Sequence, residues 1–368
     1  MLDVSFNYIN SISPKFRDWK NLVSLNLTWN NLNASIAPII GLATNLSHLE
    51  LASNTFNRSI PPEIWNLKSL VALDMSDCSL NGPISSNISH LTNLVSLSLA
   101  NNQINGSIPS EIWNLKSLVA LDMSYCSLNG PISSNISHLT NLVSLSLAYT
   151  QINGSIPSEI WNLKSLVALD MSDCSLNGPI SSKISHLTNL VSLSLAYNQI
   201  NGSIPSEMGN LKNLVSLDLS ENLFVGLIPS RLGQLTSLTF LDLSFNSFSG
   251  SIPPEFGKLT NLTDLHMSHC GLVGPLPPTL GHLTNLKYLF LSGNQINGSI
   301  TSELTNLKNL IGLHLVQNSL GGTIPSSLIL LSNLRTLDLG TNSFEGSIPP
   351  NIGDLSNLEI LNLGAITK

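Results

Sequence analysis

Charge is scarce in this chain. Of 368 residues only 15 are basic and 22 acidic, leaving 10% charged and a formal net charge of -7. The basic residues fall singly, so no stripe exists to meet a phosphate backbone, and nucleic acid is excluded as a partner. The shortage of charge also excludes a disordered chain or a coiled coil, since both need far more. Long apolar runs are missing too. None approaches the roughly 18 to 20 residues that span a bilayer, so no membrane contact is expected of this segment itself. The opening residues lack the charged start, apolar block and small-residue cleavage site of a secretory leader. Aromatic residues make up 5%, and cysteines number four.

What is present is one pattern, repeated. Segments ending in L-x-x-L-x-L-x-x-N place their last residue at Asn7, Asn30, Asn54, Cys78, Asn102, Cys126, Thr150, Cys174, Asn198, Asn222, Asn246, Cys270, Asn294, Asn318 and Asn342. The first interval is 23 residues and each later one is 24, with a partial sixteenth repeat from Leu355. That period and leucine spacing define leucine-rich repeats. The expectation is therefore a single array over residues 1–368, growing in one dimension without a large central core.

Each column has a physical reason. The two leucines of L-x-L share one face of a short strand, because strand side chains alternate. Asn at the turn can bond main-chain groups of neighbouring coils and satisfy amides that would otherwise be orphaned. Gly follows four residues later in twelve of the fifteen repeats, from Gly82 to Gly346, where a tight turn needs its freedom. An apolar residue and usually Pro come next, as in Ile60-Pro61 and Ile348-Pro349, which suits an irregular convex segment and not a central strand. On top lies a second period. Residues 60–107, 108–155 and 156–203 are nearly the same sequence, and the first pair differs only at Pro62/Ser110, Asp77/Tyr125, Asn101/Tyr149 and Asn102/Thr150. Three of those four changes fall at or beside the ladder position.

The L-x-G-x-I-P extension resembles the plant-specific subclass of leucine-rich repeats found in receptor-like kinases, receptor-like proteins and polygalacturonase-inhibitor-like proteins. The resemblance covers essentially the whole chain. It implies an α/β repeat solenoid: a right-handed leucine-rich-repeat superhelix with a parallel β-sheet on the concave face and irregular or 3-10 convex segments. It also implies an extracellular setting, at the plasma-membrane surface or in the apoplast. The paired-cysteine caps of many members are absent. The chain begins and ends inside repeats, so a piece of a longer protein is expected.

Tempting chemistry dissolves on inspection. The four cysteines all occupy the ladder column, the nearest two coils apart, which at about 4.8 Å per coil is roughly 9.6 Å. Bridging needs less than ~7 Å, so they read as small buried replacements for the ladder Asn, as Thr150 does. His266, His269 and Cys270 form H-M-S-H-C, but the two histidines sit some 10 Å apart along an extended strand, too far for one zinc ion. His90, His138, His186 and His282 lie in a convex segment. No nucleophile elbow, phosphate loop or catalytic triad order stands out. No catalytic residue, metal or cofactor is expected. Trp65, Trp113 and Trp161, where the family commonly has Gly, cover the convex core or form an aromatic stripe for a partner, the former preferred.

Eleven N-x-S/T sequons occur, at Asn26, Asn33, Asn45, Asn57, Asn87, Asn105, Asn135, Asn153, Asn201, Asn261 and Asn297. Some are expected to carry glycans in a secreted protein, although N-G-S and N-L-T arise partly from the repeat itself. Ligand binding is expected on the concave face, as in other solenoids. The Asp recurring between the strand leucines, as at Asp218, Asp242 and Asp338, belongs to the consensus and reads as structural. Departures from it mark a site: His266, Phe290 and His314, with Phe240, Phe245, Asp264, His269 and Tyr288 beside them, are exposed aromatics and imidazoles on one face. A weaker stripe runs through Tyr125, Tyr149 and Tyr197.

The resemblance implies the recognition module of a receptor-like kinase or receptor-like protein. It would bind a peptide or protein ligand, and a co-receptor kinase, in defence or developmental signalling. A secreted inhibitor of a cell-wall-degrading enzyme is the alternative, but the array is long for one. The unbroken period leaves no room for the island of steroid-binding members. Arg17, Arg58, Arg231 and Arg335 are too scattered for the paired-arginine grip of some peptide receptors.

Overall fold

The leucines of each L-x-L pair are buried because a three-residue strand turns both of them to one side. The computed structural model describes residues 1–12, 21–33 and 37–365; Arg17 lies outside them. Two compact units divide it, Met1–Asn177 and Gly178–Lys368. In the first, parallel strands pair in chain order from Leu2–Asp3 to Ala168–Asp170. In the second they run likewise from Ser192–Ser194 to Ile360–Asn362. Each strand aligns with the next in strict repeat register, Leu241 opposite Leu265 and Leu265 opposite Leu289. The core is a stack of identical leucine layers, with Leu217, Leu241, Leu265 and Leu289 fully buried. Burying one such side chain contributes about 1.5–3 kcal/mol.

The ladder Asn does what its chemistry permits. The Asn246 side chain donates to the carbonyls of Leu219 (3.0 Å), Leu243 (3.0 Å) and Ser244 (3.2 Å), while its oxygen accepts from the Phe224 amide at 3.0 Å. Cysteine reproduces only the donor half. The thiols of Cys78 and Cys270 reach the carbonyls of Leu51 and Leu243 at 3.1 Å, one coil back. Burial pushes both thiols up to about 12 and Cys126 to about 11, so they stay protonated donors. All four cysteines are free.

Three features go beyond or against the sequence reading. The L-x-G-x extension is not merely irregular. It forms further parallel strands, Gln103–Ser107, Ser127–Pro131 and Gln151–Ser155 in the first unit and Gln295–Gly298 and Ser319–Thr323 in the second. Gly at φ between 71° and 80° makes the bend within them, and Pro131 closes its strand, where no amide is needed. The following Pro caps a 3-10 turn, as Pro253 does at φ -62° before Pro254–Lys258. A second, convex Asn ladder also appears. Asn93, Asn213 and Asn285 donate to the carbonyls of Lys68, Thr188 and Thr260 at 2.9–3.0 Å.

The tryptophan column decides between its two readings. Trp65, Trp113 and Trp161 are at most 2% exposed, so they fill the convex core and offer no outer stripe. In the second unit the same column holds Gly209, Gly233, Gly257 and Gly281, which leave no space at all. A Cβ on Gly257 would sit 2.5 Å from the carbonyl oxygen of Thr279 in the next coil. The first unit thus fills this column with a buried ring in alternate coils, Ser89 and Ser137 lying between, whereas the four consecutive glycines admit a close approach of backbone.

Candidate binding face

Strict register turns sequence columns into rows of touching side chains. Asp242, His266, Phe290, His314 and Asp338 are consecutive partners across neighbouring strands, as are Phe240, Asp264, Tyr288 and Gly312. At the coil spacing of about 4.8 Å, planar side chains in such rows must stack. His266 lies 4.6 Å from Phe290 at 16°, and Phe290 lies 4.4 Å from His314 at 40°. Phe240 meets His266 edge-on at 5.6 Å, and Tyr288 meets Phe290 edge-on at 5.8 Å. Each such pair contributes about 0.5–1.5 kcal/mol beyond its buried area. Gly312 makes the crowding possible, since a Cβ there would come within 3.0 Å of Tyr288 and 3.2 Å of Phe290. Nothing in its sequence context marks that glycine.

A second row lies just beyond the strands. Phe245 stacks on His269 at 4.8 Å and 19°, and Gly293 gives the His269 ring room over the next coil. This column, immediately before the ladder residue, is a left-handed turn in every coil, with φ of 54° at Tyr197, 52° at Glu221, 55° at Phe245 and 52° at His269. The chain reverses there toward the ladder residue, which must point inward. The conformation costs a non-glycine residue about 1–2 kcal/mol. In exchange the side chain stands clear of the sheet, leaving Phe245 47% exposed.

The consensus Asp is structural, and where it fails the hydrogen bonds rearrange. Asp122, Asp170 and Asp218 each accept from the amide (3.0 Å) and hydroxyl (2.7 Å) of the Ser two residues on. His266 replaces the Asp of its coil, so the Ser268 amide loses that acceptor. The Ser244 hydroxyl accepts it instead, at 3.1 Å. Asp242 then keeps only the Ser244 amide, at 2.8 Å, and its other oxygen lies 3.4 Å from Nδ1 of His266. Nε2 of His266 is buried without a partner. Asp264 turns aside to accept from the Thr263 hydroxyl at 2.5 Å.

These substitutions leave a depression of about 210 Å³ walled by Tyr197, Glu221, Asp242, Phe245, His266 and Phe290. Tyr197, expected in the weaker stripe, thus lines this depression. Glu221 and Asp242 also line it; the sequence reading placed neither at a candidate site, the latter because its column looked purely structural. Tyr125 and Tyr149 lie in the first unit and stack on each other at 4.2 Å and 9°. The Tyr149 hydroxyl is held above the usual phenol range by its hydrogen bond with Tyr125. His269 and Cys270 do not converge with His266. The Cys270 thiol is engaged in the ladder and His269 with Phe245.

His314 accepts from or donates to the Thr336 hydroxyl at 3.0 Å. Burial, reinforced by nearby His266, holds its imidazole below the ordinary value against the pull of Asp338. The unfolded chain then binds this proton more readily than the folded one. The second unit should accordingly lose stability as pH falls through the histidine range and be unaffected above it. His314→Gln should flatten that dependence in thermal melts between neutral and mildly acid pH. An equally steep dependence in the variant would contradict the assignment.

The comparisons with known proteins agree with this architecture. Residues 166–289 match the model of a leucine-rich repeat region. Residues 45–67, 69–91, 93–115, 117–139, 141–163, 285–307 and 333–355 match that of the single leucine-rich repeat. A leucine-rich-repeat protein of Leptospira interrogans is 30% identical, with TM-score 0.74, over 98% of this chain and 94% of its own. The chain belongs to the leucine-rich-repeat family. Within it, the solved structures it resembles include ectodomains of plant receptors. The plant peptide hormone receptor RGFR1 bound to RGF2 is 34% identical, with TM-score 0.86, over 97% of this chain and 61% of that one. The Arabidopsis receptor kinase HAESA, in complex with the peptide hormone IDA and the co-receptor SERK1, is 33% identical with TM-score 0.86 over 99% and 65%. A TDR receptor is 33% identical with TM-score 0.95 over 98% and 63%. The chain therefore spans less than two thirds of the length of these receptors. No curated protein sequence matches it. Among the described residues no helix is long and apolar enough to cross a membrane.

Proposed function

We propose that residues 1–368 form one recognition array from a plant receptor-like kinase or receptor-like protein, and that the strand face of the second unit holds an extended peptide or protein ligand. The observation that carries this is the row of half-buried, mutually stacked rings from Phe240 to His314 on a face whose consensus residue is Asp. Preorganised aromatic anchors bind with little loss of side-chain freedom, which is why they dominate interfaces. The likeness to peptide-hormone receptor ectodomains supports the same reading and adds a co-receptor kinase as second partner, outside the cell. The role is recognition without catalysis. Glycans fit the exposed sequons Asn57, Asn87, Asn105, Asn135, Asn153, Asn201 and Asn297. Asn261, also exposed, is the poorest acceptor of them, because its amide already donates to the Thr236 carbonyl at 2.8 Å.

Panning a random peptide library on the immobilised protein tests the site. The wild type should enrich a family of related peptides. The Tyr288→Ala/Phe290→Ala variant should bind them more than about tenfold more weakly while still unfolding cooperatively, at a lower temperature because three ring contacts are lost. Unchanged affinity in that variant would remove these residues from the site.

A further inference from the structure

From the depression beside the stacked rings, we infer that this face recognises a basic side chain, arginine or lysine, of an extended peptide. The inference rests on the peptide-binding reading above and names the chemistry of one subsite within it. Two carboxylates from successive coils, Glu221 and Asp242, share the depression with the rings of Tyr197, Phe245, His266 and Phe290. No lysine or arginine lines it, and neither acid is ion-paired to one among the described residues.

The acids differ from their counterparts elsewhere in the array. Asp218 is tied down by both the amide and the hydroxyl of Ser220. Asp242 has lost the hydroxyl, because Ser244 now serves the amide of Ser268. Its free oxygen is left with only a long 3.4 Å contact to His266. A carboxylate with one oxygen fixed by main chain and the other weakly engaged is a preorganised acceptor for a charge-assisted hydrogen bond. Glu221 reaches the same space from a left-handed turn that holds its side chain off the sheet.

The rings supply the other half. Tyr197 is 57% exposed and Phe245 47%, a large apolar area on either side of the acids. A basic side chain is the one peptide group that uses both. Its methylene stem packs on rings while its head takes the carboxylates, and a cation over an aromatic face gains further attraction. An acidic side chain would be repelled, and a neutral polar one would leave the Asp242 oxygen poorly matched.

Glu221→Gln combined with Asp242→Asn removes both charges and keeps both shapes. The fold tolerates Asn in this column, since Asn26 and Asn362 hold it and bond the amide two residues on at 3.0 Å. Peptides enriched from a random library on the wild type should carry Arg or Lys at a fixed place. Replacing that residue by norleucine should weaken binding to the wild type by about fivefold or more but leave binding to the charge-neutral variant nearly unchanged. Exchanging Arg for Lys in the same peptide distinguishes the two heads. Peptides that depend on Tyr288 and Phe290 but show no basic preference would overturn this inference alone. So would an equal norleucine penalty on both proteins. Failure to enrich any peptide would overturn the peptide-binding reading and this one together.

Discussion

Replacing Asn246 by leucine is expected to destabilise the second unit by about 3–4 kcal/mol, with the loss read as a lower denaturant midpoint. Leucine keeps asparagine's branching but is bulkier and makes none of its hydrogen bonds, so overpacking adds to the loss of the ladder contacts. The Phe224 amide, in buried surroundings, loses its partner, and the Leu219 carbonyl is left with only the longer 3.3 Å donation from the Asn222 side chain. An orphaned buried group costs about 1–3 kcal/mol. Asn246→Cys provides the internal control, because Cys78 and Cys270 show a thiol keeping the donor half of the ladder. It should cost about half as much. Equal effects of Leu and Cys, or a loss below about 1 kcal/mol for Leu, would mean that the ladder is ornamental to stability. Hydrogen exchange should place the damage in the coils on either side of Asn246, since repeats communicate through nearest neighbours.

The second large effect belongs to the tryptophans of the first unit. Trp113→Ala should cost about 3–5 kcal/mol, the usual range for emptying an aromatic site in a core. Trp113 is 1% exposed and is among the largest fully buried side chains of the chain's described residues. Its indole nitrogen is buried without a partner. Trp113→Phe should therefore be cheaper than its lost volume suggests, because it deletes that unsatisfied donor. The mirror experiment lies in the second unit. Gly257→Ala pushes a methyl group against the Thr279 carbonyl and should cost about 1–3 kcal/mol through overpacking. Thermal and denaturant melts of the variants check both halves. A mild Trp113→Ala would show that the convex coils can close the gap.

Much of this molecule is legible in its sequence. The repeat period set the strands, their register and the inward leucines, because a period-two strand in a fixed repeat admits one arrangement. The ladder followed from the hydrogen-bonding capacity of Asn, and the outward row His266–Phe290–His314 from its departure from Asp. Other features were hidden for definable reasons. The left-handed turn is occupied by Tyr, Glu, Phe and His at residues 197, 221, 245 and 269, none of which advertises positive φ. The extra strands run through Gly and Pro, which argue against strands when read alone. Asp242 and Asp218 are identical in local sequence pattern. They differ only because a histidine one coil away redirects the Ser244 hydroxyl. That is information a single column cannot hold.

The left-handed column carries a consequence for how such a protein changes over generations. Its backbone strain falls on every residue other than glycine, Asn and Asp bearing it most easily, and the side chain there forms no part of the core. Mutations there are thus nearly silent for folding while they rewrite what the surface offers. The duplicated coils record it: at otherwise matching positions one copy has Asp77 and Asn101 and the next Tyr125 and Tyr149. Scaffold and specificity drift independently, and selection can explore new ligands without first securing extra stability.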